Sequence, residues 1–334
     1  MLKFRTEIEN ILSGYPIGYS DSVLILGSCF ADNIGRWLHE HCLDVMSNPF
    51  GTLYNPASIA TSLQNIQQKR RYQPDQELRN GVFISTGAVE TPRYYSFEHH
   101  GSFSSDSDSD LCQQLNVVAE AVEQHWSRCQ HLIVTWGTAF VYEHRSSHRI
   151  VANCHKCPAG QFERRMLQVD EIVEMWSKLI DNMSDKHIIF TVSPIRHIKD
   201  TLHGNQLSKA TLLLAIEKLQ SKYPTQVEYL PIYELMIDDL RDYRFYASDL
   251  VHPSDFAIEI VREYFSKNYL TDECRLFLKE VDPLIKALSH RPFSANSEEY
   301  RRFLCQNIIK IEQLSTKYPI FTLQNLKRNF EERL

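Results

Sequence analysis

The sequence predicts an α/β protein in which a mostly parallel sheet lies between two layers of helices. Short, almost wholly apolar runs alternate along the chain with stretches whose apolar residues recur at helical spacing. Strands that are apolar on both faces are typical of a sheet covered by helices on both sides. Five such runs occur, so we expect a five-stranded sheet.

The elements follow one another in the order that such a sheet requires. The predicted strands lie at 23–26, 43–46, 132–135, 188–192 and 227–230. The predicted helices lie at 29–41, 56–70, 114–130, 170–182, 205–222 and 254–266.

Two regions depart from this alternation. Residues 72–112 are rich in glycine, proline and polar residues and are predicted to be an insertion, with an exposed, mobile loop at 102–110. From 267 onward only helical patterns occur, which predicts a helical C-terminal appendage. We therefore divide the chain into a main domain, 1–266, and a C-terminal extension, 267–334.

Composition narrows the class of protein. Hydrophobic residues make up 43% of the chain, and 36 basic against 42 acidic residues give a net charge of −6. That charge offers no cationic surface for nucleic acid or for an acidic membrane. The N-terminal residues lack a secretory pattern, no apolar run can cross a bilayer, and the eight cysteines are dispersed. We expect a soluble cytoplasmic protein whose oligomeric state the sequence leaves open.

Ser28 lies where the first strand gives way to a helix. That position in an α/β sheet faces the crevice at the carboxyl ends of the strands, where ligands usually bind. Gly27 permits a sharp turn, and amides at the start of the helix can stabilise negative charge near the Ser28 hydroxyl. The alternative is that Ser28 caps the helix through its side chain.

Asp249 and His252 are three residues apart and follow the last predicted strand. This spacing allows the carboxylate to accept the Nδ1 proton of the imidazole, which leaves Nε2 free to act as a base. The alternative is a surface pair in which the aspartate caps a helix. Because the carboxyl ends of parallel strands share one edge, Ser28, Asp249 and His252 can meet there as nucleophile, base and base-orienting group.

Several strings resemble a known family. The motif GSCFA at 27–31 is the one that names the GSCFA domain family, which looks like a branch of the SGNH/GDSL hydrolase superfamily. Six further strings are similar to the same family: NPFGTLYNP at 48–56, GTAFVY at 137–142, VANCHK at 151–156, SPIRH at 193–197, SKA at 208–210 and DLVHP at 249–253. The resemblance covers roughly residues 4–266.

The resemblance implies a three-layer, flavodoxin-like SGNH fold with Ser28 as nucleophile and Asp249 and His252 as its relay. It also implies an oxyanion hole formed by the amides of Ser28 and Gly51. The superfamily places an asparagine as third donor where this chain has Ala139.

Three residues can replace that missing donor. Asn55 is our first choice, although it can equally well cap the helix that begins at Pro56. Asn153 and the Thr138 hydroxyl are the other candidates.

Further candidates surround this site. Cys29 is a rival nucleophile, but only one of two consecutive side chains can face the crevice, so we expect Cys29 to pack under the sheet edge. Arg196 and His197 follow the fourth strand and can bind a carboxylate or phosphate, or simply tie loops together. Lys209 can reach the pocket, although most lysines are solvated.

The segment 154–157 reads Cys-His-Lys-Cys. A structural zinc site needs four ligands and no second pair has suitable spacing, so we predict no metal there and no cofactor elsewhere.

The sequence therefore predicts a serine esterase or acyltransferase that acts on a small-molecule or glycan O-acyl ester through an acyl-enzyme. The alternative is a carbohydrate- or protein-binding module that keeps the scaffold without the chemistry.

Overall fold

A five-stranded parallel sheet forms the centre of the protein. The computed structural model describes residues 5–74, 79–83, 91–290 and 297–334. The strands of the sheet are β1 (Ser22–Gly27), β2 (Asp44–Ser47), β6 (Cys129–Trp136), β10 (His187–Val192) and β11 (Val227–Tyr229). They lie in the order β11-β10-β6-β1-β2, and every pairing is parallel. The predicted α/β class with a five-stranded parallel sheet is confirmed.

Helices cover both faces of this sheet because successive side chains of its strands point to opposite faces and are apolar on both. In β1, Val23 and Ile25 pack into one core, whereas Leu24 and Leu26 pack into the other. The helices are α1 (Cys29–Glu40), α2 (Pro56–Gln67), α3 (Asp108–Arg128), α4 (Val169–Ile180), α5 (Thr201–Lys222), α6 (Asp255–Tyr269), α7 (Asp272–Ser289), α8 (Glu298–Lys317) and α9 (Thr322–Glu331). Short helical turns lie at Ala159–Gln161, Ile198–Asp200, Ile232–Glu234, Leu235–Asp239 and Tyr243–Phe245.

The order of the strands fixes where a ligand can bind. Numbered along the chain, the five strands lie in the order 2-1-3-4-5. The second strand therefore lies on one side of β1, and the three later strands lie on the other side. In doubly wound sheets of this kind, the carboxyl ends of the two strands at the reversal border the binding crevice. Here those strands are β1 and β6, and Ser28 directly follows β1.

Two small antiparallel sheets add to this frame. One contains β3 (Arg79–Phe83), β4 (Thr91–Tyr95) and β5 (Ser104–Ser105), and the other contains β7 (Phe140–His144), β8 (Arg149–Val151) and β9 (Phe162–Met166). Neither was predicted. Part of the predicted insertion, 75–78 and 84–90, lies outside the described residues.

The prediction of one exposed loop over 102–110 is wrong in part. Phe103 is buried, β5 follows it, and α3 already begins at Asp108 rather than at 114. The helix begins there because the Ser107 side chain accepts a hydrogen bond from the amide of Asp110, at 3.2 Å. Two aspartates in the first turn add a favourable interaction with the helix dipole.

The C-terminal region is helical, as predicted, and shares a core with the main sheet. Phe277 of α7, Leu304 of α8 and Phe330 of α9 are buried in the same cluster as Leu38 of α1 and Ile25 of β1. Among the described residues, no helix is long and apolar enough to span a membrane.

Candidate active site

A tight turn joins β1 to α1. The φ angle of Gly27 is +137°, and a Cβ atom there would lie 2.2 Å from the carbonyl oxygen of Thr135. The Gly27 amide donates to Asn48 Oδ1 at 2.8 Å, which anchors the turn to the loop after β2. Only glycine fits this position, because both the backbone angle and the close approach exclude a side chain.

Ser28 follows this turn at the N-cap position of α1. Its side chain makes no capping hydrogen bond, so the capping alternative is wrong. The residue is 2% exposed, and its Oγ has no hydrogen-bond partner among the residues that the structure describes. A buried hydroxyl without a partner costs free energy, and a catalytic role is one reason for a protein to keep such a group.

Asp249 and His252 form a hydrogen-bonded pair. Asp249 Oδ2 lies 2.5 Å from His252 Nδ1, while Asp249 Oδ1 accepts the amides of Val251 and His252, each at 2.9 Å. The two amides and the imidazole lower the pKa of Asp249 to about 2. Among the described residues, His252 Nε2 has no hydrogen-bond partner. The pair therefore has the form predicted, an ionised carboxylate that orients an imidazole.

The loop that carries this pair is braced at its ends. The Ala247 amide donates to the His252 carbonyl at 2.7 Å, and Leu250 adopts a φ of +60°. The guanidinium of Arg196 lies 5.0 Å from the ring centroid of Tyr246, the first residue of the loop. Arg196 thus tethers a loop, one of the two roles predicted for it.

Cys29 and His252 line the same cavity, which has a volume of about 90 Å³. The expectation that Cys29 packs under the sheet edge is therefore wrong; its side chain is partly exposed and faces the crevice. Burial, and then the neighbouring Asp32 carboxylate, raise the pKa of the Cys29 thiol. Ser28 is not among the lining residues and makes no hydrogen bond with His252.

The two amides predicted to form the oxyanion hole are already engaged. The Ser28 amide donates to the Thr135 carbonyl at 3.2 Å, and the Gly51 amide donates to the Asn48 carbonyl at 2.8 Å. Gly51 has a φ of +80° and packs closely on His100. Neither amide can bind an oxyanion without giving up its present acceptor.

Asn55 caps a helix, which is one of the two roles predicted for it. Its Oδ1 accepts the amide of Ser58 at 2.8 Å and so caps α2. Within the described part of the chain, its Nδ2 makes no hydrogen bond. The cap fixes the plane of the amide and leaves the donating end available.

The other two residues predicted as donors, Thr138 and Asn153, also hold loops together. Thr138 Oγ1 lies 3.1 Å from Ser208 Oγ and accepts the amide of Phe140, also at 3.1 Å. Asn153 Oδ1 accepts the amide of His155 at 2.7 Å, and its Nδ2, like that of Asn55, makes no hydrogen bond within the described ranges. These bonds fix loops and do not point to a substrate.

Lys209 and His197 lie near the carboxyl ends of β6 and β10. The Lys209 amine donates to the carbonyls of Gly137 and Ser193, at 2.5 and 2.6 Å, and so joins the ends of β6 and β10. It is not solvated, and burial lowers its pKa to about 7. Burial also lowers the pKa of His197 to about 4, and its ring lies 6.3 Å from that of Tyr54.

A polar network that the sequence analysis missed holds the loop after β2. Asp32 Oδ1 accepts Asn48 Nδ2 at 2.7 Å, and Asp32 Oδ2 accepts the Thr52 hydroxyl at 3.2 Å. Asp32 lies one helical turn after Ser28, so its spacing was a usable signal that it shares the Ser28 side of α1.

The segment 154–157 forms no metal site in the described residues, where no group of three or more potential ligands converges. Cys157 Sγ instead lies 2.9 Å from Tyr95 Oη, and His155 Nε2 lies 2.8 Å from the Ser96 carbonyl oxygen. Burial raises the pKa of Cys154 to about 11, which keeps that thiol protonated.

Comparison with known proteins gives two family matches. The GSCFA family matches residues 22–265, and the GSCFA domain protein, C-terminal domain, matches residues 281–334. Searches of the curated proteins and of the solved structures found no match. Since the first match alone spans more than half of the chain and includes the turn and the acid–base pair, the chain belongs to the GSCFA family.

Proposed function

We propose that the protein hydrolyses or transfers an O-acyl ester, such as an acyl group on a carbohydrate, by an SGNH-like serine mechanism. The observation that carries the proposal is the 2.5 Å Asp249–His252 pair on a cavity that begins one residue after Ser28. The chemistry needs no cofactor, and the dispersed cysteines predict that it takes place in the cytoplasm.

The acid–base pair supplies a base that is already oriented. Asp249 stays ionised across the physiological pH range because its pKa is about 2. Its carboxylate accepts the Nδ1 proton of His252 and stabilises the imidazolium that forms when Nε2 takes up a proton. A base so arranged can accept the proton of a hydroxyl nucleophile.

The nucleophile that we assign is Ser28, whose hydroxyl makes no hydrogen bond to any described residue and so gives none up when it reacts. Turning the Ser28 side chain about χ1 costs no existing hydrogen bond, and engagement with His252 would give the hydroxyl its first partner. Asn55 Nδ2 is the side-chain donor that we assign to the oxyanion.

The reaction proceeds in two steps. Ser28 Oγ attacks the ester carbonyl carbon, its proton passes to His252 Nε2, and the same proton then goes to the departing alcohol as the carbon–oxygen bond breaks. Water or an acceptor alcohol next attacks the acyl-Ser28 carbonyl and gives its proton to His252. Release of the acid or the new ester returns that proton to Ser28.

Paired substitutions test the nucleophile. Ser28→Ala should lower the hydrolysis of a p-nitrophenyl ester by a factor on the order of 10³ or more, with an unchanged or slightly raised melting temperature, because a buried unpaired hydroxyl is removed. Cys29→Ala, one residue away, should keep most of the activity. A fluorophosphonate probe should label Ser28, as read by peptide mass spectrometry.

Two results would contradict the assignment. Full activity in Ser28→Ala excludes Ser28, and loss of activity in Cys29→Ala alone moves the nucleophile to the thiol that faces His252.

A binding module without chemistry is the second candidate, favoured by the engaged amides of Ser28 and Gly51 and by Ala139 in place of the third donor. It predicts neither labelling nor turnover, together with measurable binding to a glycan array or to a protein partner.

A further inference from the structure

The cavity shared by Cys29 and His252 is walled by five separate parts of the fold. Its sides come from α1, from the loop after β10, from the helical turns after β11, from the loop before α6 and from α6 itself. Most of the wall is apolar, formed by Phe30, Ile34, Ile195, Ile232, Met236 and Ile258.

The polar part of the wall is small. Cys29, Asn33 and His252 are its polar side chains, and no Asp, Glu, Lys or Arg of the described residues lines it. A carboxylate, a phosphate or a hydroxyl-rich sugar would lose its hydration here without gaining enough partners. A short hydrocarbon chain would lose nothing and would gain the free energy of leaving water.

The volume sets the length of that chain. A dry apolar cavity of about 150 Å³ accommodates benzene, which has six carbon atoms. The cavity here has a volume of about 90 Å³. If the number of carbon atoms scales with volume, this cavity has room for about three or four of them.

We propose that this cavity receives the acyl chain of the substrate and restricts it to short chains, from acetyl to butyryl. The inference rests on the proposed ester chemistry, since the cavity adjoins both the nucleophile's turn and the base. The alcohol part of the substrate would then lie outside the cavity, toward solvent.

The proposal predicts that kcat/KM first rises and then falls as the acyl chain becomes longer. Each buried methylene contributes about 0.8 kcal/mol, which is about a fourfold gain in kcat/KM per carbon. Butyryl should therefore exceed acetyl by a factor of about 15. Longer chains should lose rate, because a filled cavity accepts no further carbon without strain.

The experiment measures kcat/KM for p-nitrophenyl acetate, propionate, butyrate, hexanoate and octanoate. Each value is divided by the rate of hydrolysis of the same ester by hydroxide, so that chemical reactivity cancels. The variants are Ile258→Ala, which removes three carbon atoms from the wall, and Ile195→Phe, which adds bulk. Both residues are only partly buried, so both variants should fold. Val117→Ala on α3, at an exposed position, is the control.

We expect kcat/KM to be highest for butyrate in the wild-type protein and in Val117→Ala. The maximum should move to hexanoate or octanoate in Ile258→Ala and toward acetate in Ile195→Phe. A profile that is flat, that rises with length, or that neither variant shifts overturns the acyl cavity and leaves the esterase proposal standing. Absence of turnover with every ester overturns both.

Discussion

Lys209 places an amine inside the protein, where it is 1% exposed. Its two carbonyl acceptors compensate only part of the hydration that the charged form would lose, so burial lowers its pKa to about 7. In the unfolded chain the pKa returns to about 10.4. Between pH 7 and 10 the unfolded state therefore holds a proton that the folded state lacks, and the free energy of unfolding gains a contribution that rises with pH.

Lys209→Met removes this contribution. Relative to this variant, the wild-type free energy of unfolding should rise by about 2 kcal/mol between pH 7 and pH 9. Urea denaturation at several pH values measures it.

Lys218→Met is the matched control, because Lys218 lies on the same helix α5 and is exposed. The plot of its free energy of unfolding against pH should stay parallel to that of the wild type. Parallel curves for Lys209→Met as well would show that the buried amine keeps its ordinary pKa.

At the residue scale, the sequence predicted the Asp249–His252 pair but misplaced Cys29. A carboxylate and an imidazole that are three residues apart in a short loop have few possible arrangements, and in most of them the two groups are close together. Which of two adjacent side chains faces a crevice depends on the backbone angle of the preceding residue. That angle, +137° at Gly27, arises from the contact with Thr135 and the anchor to Asn48, which are distant in sequence.

At the scale of elements, helix α2 offers a way to separate stability from chemistry. Asn55→Ser keeps an oxygen that can cap α2 but loses the amide donor, whereas Asn55→Ala loses both. We expect kcat to fall by a factor on the order of 10² to 10³ in both variants. Only Asn55→Ala should also lose stability, by about 1 kcal/mol.

Ester hydrolysis and thermal unfolding of the same two preparations provide the measurements. Full activity in Asn55→Ser would restrict Asn55 to its capping role and leave the oxyanion donor to be found elsewhere.

The elements that the sequence predicted are those whose burial produces a regular pattern. The central strands are mostly apolar, and the apolar residues of the amphipathic helices recur at helical spacing. Strand β7 (Phe140–His144) has no such pattern, because only Val141 is fully buried there. It pairs with β8 and β9, partners that sequence periodicity does not identify.

At the scale of the whole molecule, the sheet brings distant parts of the chain to one edge. The β1–α1 turn, the loops after β6 and β10 and the loop before α6 all lie at the carboxyl ends of parallel strands. The sequence predicted this convergence because alternating strands and helices leave few topologies. The packing of the C-terminal helices could not be predicted, since an apolar helix face does not specify its partner.

The C-terminal helices and the sheet should unfold together. Phe330 of α9 is fully buried in the core that also holds Ile25 of β1 and Leu38 of α1. Elements that share one core lose their contacts at the same time, which favours a single cooperative transition. Phe330→Ala leaves a cavity in that core and should lower the free energy of unfolding by about 3–5 kcal/mol.

Differential scanning calorimetry provides the measurement, with Phe321→Ala as control because Phe321 carries the same side chain at a position that is 59% exposed. The wild-type protein should show one transition whose calorimetric and van't Hoff enthalpies agree. Phe330→Ala should shift that whole transition downward, whereas Phe321→Ala should change stability by less than about 1 kcal/mol. A separate low-temperature transition in Phe330→Ala, with the main one unmoved, would mean that the C-terminal helices fold on the sheet without stabilising it.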